Sequence, residues 1–343
     1  SVHTHSALDT EEKAAAVVQH LLANPAFAPD RYGGAEPLRK LTPDRVRHSV
    51  DLIVDRVAQQ RDPQRVISDT LFGHAGHPQC HYRVAWQRLP HAPFSVSSYS
   101  IEQEYVERSE RLGNWLRFTF GLLALQEAWY ARFCLGVEFD AKHVLRWQEA
   151  YPRAKDPAKG VGTEGAVGNN LLTGIPGVYW GNYFGPFYAD WLGRERLESV
   201  PCVEKRWLET GGFFFTTAPF PSAWDSPDAR ALQQAAKEHL GADAFFDMES
   251  VLRNLDAMEP IPAGMRPEEL QPPRRLPNYP FRIEPVVYRS IEEELTDARS
   301  HFEGQGYQLE CTEGTTLLFR DQRGDLLRVT VGPGGSVERI QQT

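Results

Sequence analysis

The segment from about Glu107 to Leu135 contains no proline and carries a broad stripe of large apolar side chains. The stripe consists of Leu112, Trp115, Leu116, Phe118, Phe120, Leu122, Leu123, Leu125, Trp129 and Phe133. A helix that is apolar on so many sides must be covered by other elements over most of its surface. Polar residues such as Arg117 and Gln126 interrupt the stripe, so the segment predicts a central core helix and not a membrane span.

Other parts of the chain show the two-residue alternation of strands or the capped periodicity of helices. Strands are predicted at about 82–87 and 94–101, and a hairpin at 202–217 around Thr210-Gly211-Gly212. Further helices are predicted at about 10–24, 42–57, 141–150, 226–240 and 246–255. This mixture predicts an α+β fold in which helices pack on an antiparallel sheet.

Prolines are dense between Pro260 and Pro285, which predicts a linker because proline disrupts the interior of regular elements. Beyond it, Ser290 and Glu293 form a capping-box pair for a helix that ends at Gly304. Short runs at about 306–311, 315–320, 325–331 and 336–340 then predict a β-meander. The sequence therefore predicts a main α+β domain over 1–281 and a small C-terminal helix plus meander module over 282–343.

The charge balance narrows the class of partner. Lysine and arginine total 37 and aspartate and glutamate total 46, a formal net charge of −9. An acidic chain is a poor match for nucleic acid or an anionic membrane, and it favours a basic partner or simple solubility. The four cysteines lack a CxxC pair and the density of a disulfide scaffold, and no secretory pattern stands at the start, so we expect a cytoplasmic protein.

Three sequence patterns could indicate a cofactor, metal or catalytic site, but the residues around them do not support such a site. The GxGxxG match at 160–165 has neither the preceding strand nor the following helix that a dinucleotide site needs. A zinc site could use His74, His77, Cys80 and His81, but they lie in one Gly/Pro-rich connection and not in two separated knuckles. No GxSxG is present, and an acid pair such as Asp190 with Glu195 is common on the helix surfaces of acidic proteins. We therefore expect no catalytic residue, metal or cofactor.

The most unusual stretch, residues 174–193, mixes tyrosine, tryptophan and phenylalanine with five glycines. Such rings can form a recognition surface, because they supply large contact area at low entropic cost. They can equally be core residues on a short strand and helix, with the glycines allowing close packing. Tyr183, Phe187 and Trp191 share one helical face, which favours the core interpretation.

The runs Leu172–Pro186, Trp191–Glu195, Pro201-Cys202 and Pro273–Pro277 resemble sequences of bacterial immunity proteins. These belong to uncharacterised-domain families associated with polymorphic toxins and type VI secretion. The resemblance extends over about residues 25–281 and leaves out the C-terminal module. It implies an α+β protein that binds and neutralises a cognate protein toxin, and a nuclease toxin would be basic.

The glycine- and proline-containing segment 152–170 predicts a long exposed loop. The candidate binding surface combines residues of the aromatic stretch with nearby acidic residues and with this loop. Its members are Tyr179, Trp180, Asn182, Tyr183, Asp190, Glu195 and Glu164. Two other functions remain open. One is a hydrolase or carbohydrate-binding enzyme with an aromatic cleft around residues 177–195, and the other is a structural subunit of a larger assembly.

Overall fold

The computed structural model describes residues 1–5, 8, 10–35, 37–60, 69–85, 94–146, 164–257, 270–281, 291–304, 306–320, 326–330 and 336–340. Antiparallel strands and helices build an α+β protein, as predicted. Within these ranges, no helix combines the length and apolar character needed to cross a lipid bilayer.

The strands, numbered along the chain, are β1 (Val2–Thr4), β2 (Arg31–Gly33), β3 (Arg39–Lys40), β4 (Thr70–His74), β5 (Cys80–Val84), β6 (Ser95–Ile101), β7 (Ala128–Phe133), β8 (Val144–Arg146), β9 (Glu164–Ala166), β10 (Gly181–Phe184), β11 (Glu204–Trp207), β12 (Phe213–Thr216), β13 (Gln308–Glu313), β14 (Thr316–Arg320), β15 (Leu326–Thr330) and β16 (Ser336–Ile340). The α-helices are α1 (Glu11–Ala23), α2 (Val46–Gln60), α3 (Gln103–Val106), α4 (Ser109–Leu125), α5 (Gly136–His143), α6 (Pro186–Leu192), α7 (Arg194–Glu198), α8 (Pro227–Leu240), α9 (Met248–Asp256) and α10 (Ile291–Gly304). Short 3₁₀ turns lie at Pro43–Arg45, Leu171–Thr173, Pro221–Ala223 and Ala242–Ala244.

Contacts divide the chain into two compact units. The first comprises Ser1–His143, Gly168–Asn254 and Pro267–Glu284, and the second comprises Val144–Val167, Leu255–Arg266 and Pro285–Thr343. The predicted domain boundary at 281 and 282 falls where the described residues stop, and it stays a prediction.

A ten-stranded sheet forms the centre of the first unit. Its strand order is β11-β12-β10-β7-β1-β6-β5-β4-β2-β3, and neighbouring strands are antiparallel. The short N-terminal strand β1 lies between β6 and β7. The first residues of the chain therefore pair with residues about 95–131 in the middle of the sheet.

Two hydrophobic clusters cover the two faces of this sheet. Tyr183 and its cross-strand partner Phe214 belong to a cluster with the buried residues of α1 and α4. Phe184 and its partner Phe213 belong to a second cluster with buried residues of α6, α7 and α8. Successive strand residues point to opposite faces, so β10 and β12 are buried on both sides.

The predicted helix over 107–135 is correct only for its first part. Helix α4 ends at Leu125, Glu127 adopts a positive φ of 47°, and the chain returns as strand β7. Trp129 and Phe133 therefore belong to a strand and not to the helical stripe. The apolar positions of the strand continued the helical spacing by coincidence, which hid the turn.

The helix predicted at 141–150 is also displaced. Helix α5 spans Gly136–His143, and Val144–Arg146 then pairs with Glu164–Ala166. Residues 147–163 lie outside the described residues, together with most of the predicted loop at 152–170 and the first part of the GxGxxG match.

Other predicted elements are confirmed closely. Helix α8 begins after the Ser226 cap, whose side chain accepts from the N–H of Ala229, and it ends at Leu240 before Gly241. The hairpin β11–β12 forms around Thr210-Gly211-Gly212, and Gly211 has the positive φ of 80° that such a turn requires. Helix α1 begins at Glu11, close to the predicted start at about residue 10, and Thr10 is its capping side chain.

In the second unit, helix α10 precedes the four-stranded antiparallel meander β13-β14-β15-β16. Its small core contains Leu317, Phe319, Leu327 and Val329, against which Leu295 and Phe302 of the helix pack. This agrees with the predicted helix plus meander, although the strand edges differ by a residue or two.

Candidate functional site

The aromatic and glycine-rich stretch is part of the core. Tyr179 and Asn182 are 0% exposed, Tyr183 is 1% exposed and Trp180 is 3% exposed. The side chains of these four candidates are therefore buried, two of them in β10 and two in the turn that precedes it. The stretch is not one helix either, since Tyr183 lies in β10 whereas Phe187 and Trp191 lie in α6.

Two glycines of this region are required by close approach of the backbone. A Cβ on Gly185 would lie 1.9 Å from the carbonyl oxygen of Ala128, and one on Gly212 would lie 2.4 Å from the ring of Tyr183. The glycines thus permit β10 and its neighbours to pack, as expected for the core interpretation.

Polar atoms of the stretch bond within the fold. The Tyr179 N–H donates to Asn182 Oδ1 at 2.9 Å, and Asn182 Nδ2 donates to the Tyr179 carbonyl at 2.9 Å. The Trp180 indole N–H donates to the carbonyl of Ala218 at 2.9 Å. These bonds fix the turn before β10 and satisfy groups that burial would otherwise leave unpaired.

A charged pair lies directly behind this turn. Glu138 of α5 is 0% exposed, and its Oε1 accepts from Lys142 Nζ at 2.7 Å and from the Trp180 N–H at 2.9 Å. The same ammonium donates to the Val178 carbonyl at 2.7 Å and to Gln233 Oε1 at 2.9 Å. Lys142 therefore ties α5, the turn before β10 and α8 together with its three protons.

Burial shifts both members of this pair toward neutrality. It raises the pKa of Glu138, against the opposing effect of Lys142 and of the Trp180 N–H. It lowers the pKa of Lys142, against the opposing effect of Glu138. Glu138 Oε2 is buried and has no hydrogen-bond partner within the described part of the chain.

A second polar group stacks beside the pair. Arg132 of β7 donates a hydrogen bond to Asn169 Oδ1 and another to Ser1 Oγ at 3.2 Å, and its guanidinium lies 4.3 Å from the ring centre of Phe139.

The Tyr179 hydroxyl also has a partner inside the fold, because His143 Nε2 lies 2.5 Å from its oxygen. Burial raises the pKa of Tyr179, so the phenol stays protonated.

This network is built for positioning. Its carboxylate is fully enclosed, and its ammonium donates three hydrogen bonds within the fold. The arrangement holds the aromatic turn against α5 and α8. Sequence reasoning missed it, although Glu138 and Lys142 stand at the i,i+4 spacing that signals a helical ion pair.

The remaining candidates differ in position. Asp190 of α6 and Glu195 of α7 are exposed. Close to Glu195, Glu198 accepts from Arg194 at 2.8 Å and from the Trp207 indole N–H at 3.1 Å, and the Arg194 guanidinium covers the Trp207 ring. The backbone of Glu164 lies in β9, and its side chain is outside what the structure describes.

The predicted linker contains a segment that packs tightly on the first unit. The residues 270–281 form a strap, in which Tyr279 donates to the Leu171 carbonyl at 2.7 Å and lies 2.8 Å from the Tyr188 hydroxyl. Phe281 stacks on His5 with ring centres 4.4 Å apart, and Trp129 stacks on Phe187 at 4.1 Å within the same aromatic group. The linker prediction is wrong for these residues, since the prolines keep the strap extended while its rings anchor it.

The four histidine and cysteine candidates do not converge. Cys80 is fully buried and its thiol donates to the Pro78 carbonyl, whereas the next residue, His81, points to the opposite, exposed face of β5. His77 Nδ1 instead contacts Glu102 Oε2 at 2.8 Å. Across the described ranges, no group of three or more histidine, cysteine or acidic side chains is arranged to hold a metal ion.

Comparison of the chain with protein-family models, with curated proteins and with solved structures finds no match.

Proposed function

We propose that this protein is a non-catalytic immunity protein, which binds a cognate toxin and blocks it by occlusion. The observation that carries the proposal is the interior position of Tyr179, Trp180, Asn182 and Tyr183, whose side chains build the fold. The stretch that carries the resemblance to immunity proteins thus supplies a scaffold. A scaffold of this kind leaves binding to the exposed residues around it.

The exposed acids Asp190 and Glu195 remain the candidates for contact with the toxin. They lie on the two short helices that follow the aromatic strand. Acidic side chains suit a basic protein surface, because opposite charges speed the encounter of the two proteins.

The test uses the full chain and the protein encoded by the adjacent gene. Co-expression should restore growth to cells that the neighbouring product inhibits, and the two purified proteins should form a complex. The double charge reversal D190K/E195K should weaken binding at low salt by about ten-fold, whereas D55K on the exposed side of α2 should not. A neighbouring product that neither harms cells nor binds this chain would contradict the proposal.

A second candidate, a hydrolase or carbohydrate-binding enzyme, is favoured by one observation. Burial moves the pKa values of Glu138 and Lys142 toward each other, as in many acid and base pairs of active sites. Turnover of ester or glycoside substrates that disappears in E138Q, with the fold retained by circular dichroism, would support the enzyme and overturn the binding role.

A further inference from the structure

The strap lies on the first unit in the manner of a bound peptide. Residues 272–279 form neither helix nor strand. Within the described ranges, the strap backbone makes two hydrogen bonds to the rest of the unit. The Arg275 N–H donates to the Asp243 carbonyl at 2.8 Å, and Asn254 Nδ2 donates to the Leu270 carbonyl. Segments held by so few backbone hydrogen bonds open at a lower cost in free energy than the core of a fold.

One end of the surface beneath the strap offers hydrogen-bond acceptors. Arg275 Nη2 donates to the Leu240 carbonyl at 3.0 Å, at the C-terminal end of α8, where cations are favoured. Arg274 donates to the Ala242 carbonyl at 3.5 Å and to the Asp247 carboxylate at 3.4 Å. A segment that covers this end must supply donors, and arginine has more side-chain N–H groups than any other residue.

The same surface also accepts aromatic and cationic side chains on its rings. The ring of Tyr279 stacks on Phe187 and on Trp129, with ring centres 5.9 and 6.4 Å apart. The Arg275 guanidinium lies 4.8 Å from the ring centre of Trp191. All three rings of the surface are only half-buried with the strap in place. Release of the strap would therefore uncover apolar area that another segment can cover.

This surface, the strap site, consists of Trp129, Leu171, Phe187, Trp191, Leu240, Ala242, Asp243 and Asp247. It also has donors and cations nearby. The Asp247 N–H donates to Gln271 Oε1 at 3.3 Å, and Arg196 shares the Leu240 carbonyl at 3.3 Å. Lys237 interacts electrostatically with the Asp247 carboxylate. Carbonyl oxygens, two carboxylates and rings still outnumber these groups, which suits a segment that carries arginine and an aromatic residue.

We propose that the strap is an autoinhibitory contact, and that the strap site binds an extended, arginine-containing segment of the protein partner when the strap is released. The segment would place its arginine at the end of α8 and an aromatic ring against Trp129 and Phe187, as the strap does. A basic partner suits this site, because it already holds the two neighbouring arginines of the strap. The inference rests on the proposed function only for the source of the segment.

The tethered strap competes with any free segment for this site. Because the strap is part of the chain, its effective concentration is on the order of millimolar. The measured affinity of a free segment falls in proportion to the fraction of molecules whose strap is released. Weakening the strap without altering the strap site should therefore tighten the binding of a free segment.

A fluorescein-labelled peptide that reproduces residues 270–281 serves as the probe, and fluorescence polarisation measures its binding to the full chain. Y279F removes one hydroxyl from the strap and leaves the strap site intact. We expect Y279F to bind the probe about five- to thirty-fold more tightly than the native chain does. R275A/Y279A should increase the affinity further, because the strap also loses its guanidinium contact and a ring. Circular dichroism checks that each variant folds, and Y279F alone decides if R275A/Y279A does not.

Matched controls show whether the probe binds at the strap site. A probe that itself carries R275A and Y279A should bind the R275A/Y279A chain at least about ten-fold more weakly than the native probe. D243K, added to that chain, reverses an exposed carboxylate near the arginine position and should weaken native-probe binding about ten-fold at low salt. D55K, on the exposed side of α2, should leave it unchanged. Equal binding of the probe to all three chains, or binding that D243K does not alter, would overturn the proposal.

A final measurement assigns the source of the segment. R275A/Y279A should bind the adjacent gene product more tightly than the native chain, and D243K in that chain should reverse the gain. If the probe binds but both chains have the same affinity for that product, the partner does not use the strap site and the proposal fails. A native dimer that R275A/Y279A loses, measured by sedimentation, would identify a second copy's strap as the occupant and would also overturn it. If the product binds neither chain, the failure lies in the proposed function, and the probe alone decides whether the strap site accepts a free segment.

Discussion

Lys142 Nζ donates a 2.7 Å hydrogen bond to Glu138 Oε1 one helical turn away, and the carboxylate is fully enclosed. The same carboxylate oxygen accepts the Trp180 N–H at the turn that leads into β10. An ordinary i,i+4 pair on a helix surface contributes little, but this one lies inside and joins three segments.

Removal of one member of this pair should be strongly destabilising. E138Q leaves the Lys142 ammonium without its counter-charge, and we expect a loss of about 3 kcal/mol in the free energy of unfolding. The double variant E138Q/K142M should lose less than the sum of the two single variants, because no unpaired charge remains. Urea denaturation of the native chain, E138Q, K142M and the double variant measures the coupling energy between the two side chains. Strictly additive losses of stability would contradict this prediction.

His3 should make the fold sensitive to mild acid. Burial, followed by the nearby Arg132, holds the pKa of His3 well below its ordinary value of 6.5, and its Nε2 has no partner among the described residues. The unfolded chain therefore takes up a proton below about pH 6.5 that the folded chain refuses, so stability falls as the pH falls. At pH values well below 6.5, His3 should lower the free energy of unfolding by about 1.4 kcal/mol for each pH unit.

Unfolding free energies between pH 7.5 and pH 5 test this expectation. H3F should flatten the decline relative to the native chain, since phenylalanine fills the site without a titrating group. A native chain and an H3F variant with parallel pH profiles would show that His3 does not cause the decline.

Gly185 should not tolerate even a methyl group. A Cβ there would collide with the Ala128 carbonyl oxygen, which is part of the backbone of β7 and cannot turn away. We expect G185A to lose about 3 kcal/mol of unfolding free energy. The control G113A should gain about 0.5–1 kcal/mol, because Gly113 lies in helix α4 and a Cβ added there would have nothing within 4 Å. Thermal and urea denaturation compare G185A with G113A. Equal effects of the two substitutions on stability would show that a Cβ at Gly185 does not collide with the Ala128 carbonyl.

The strap should loosen when the hydroxyl of Tyr279 is removed. Y279F leaves the Leu171 carbonyl and the Tyr188 hydroxyl without their shared partner, which should reduce stability by about 1–2 kcal/mol. Hydrogen exchange of residues 271–281 should accelerate, while Y307F in the second unit should leave that segment unchanged. Unaltered protection of the strap in Y279F would show that its rings alone hold it.

Much of the fold could be predicted because local signals agreed with the final structure. The Ser226 cap, the Pro227 start and the Gly241 stop define α8, and the Thr210-Gly211-Gly212 turn defines the β11–β12 hairpin. These signals depend only on neighbouring residues in the chain, so they can be recognised without knowledge of tertiary contacts.

The errors arose where tertiary contacts decided the outcome. The turn at Gln126 and Glu127 contains neither glycine nor proline, so an apolar helix and the following strand looked continuous. Similarly, the spacing of Glu138 and Lys142 was visible, but their burial depends on Trp180 and Gln233, which lie far away in the sequence. The prolines near Tyr279 were mistaken for a linker because the rings that anchor them are equally distant.

The double coverage of β10 also bears on how such a protein can diversify. Each residue from Gly181 to Phe184 is enclosed, so this strand offers no position at which evolution can adjust specificity without disturbing folding. Under the proposed toxin-binding role, changes in specificity would have to occur on the outward sides of α6, α7 and β11. Lineages that share this architecture should then keep the strand nearly fixed while those neighbouring surfaces drift rapidly.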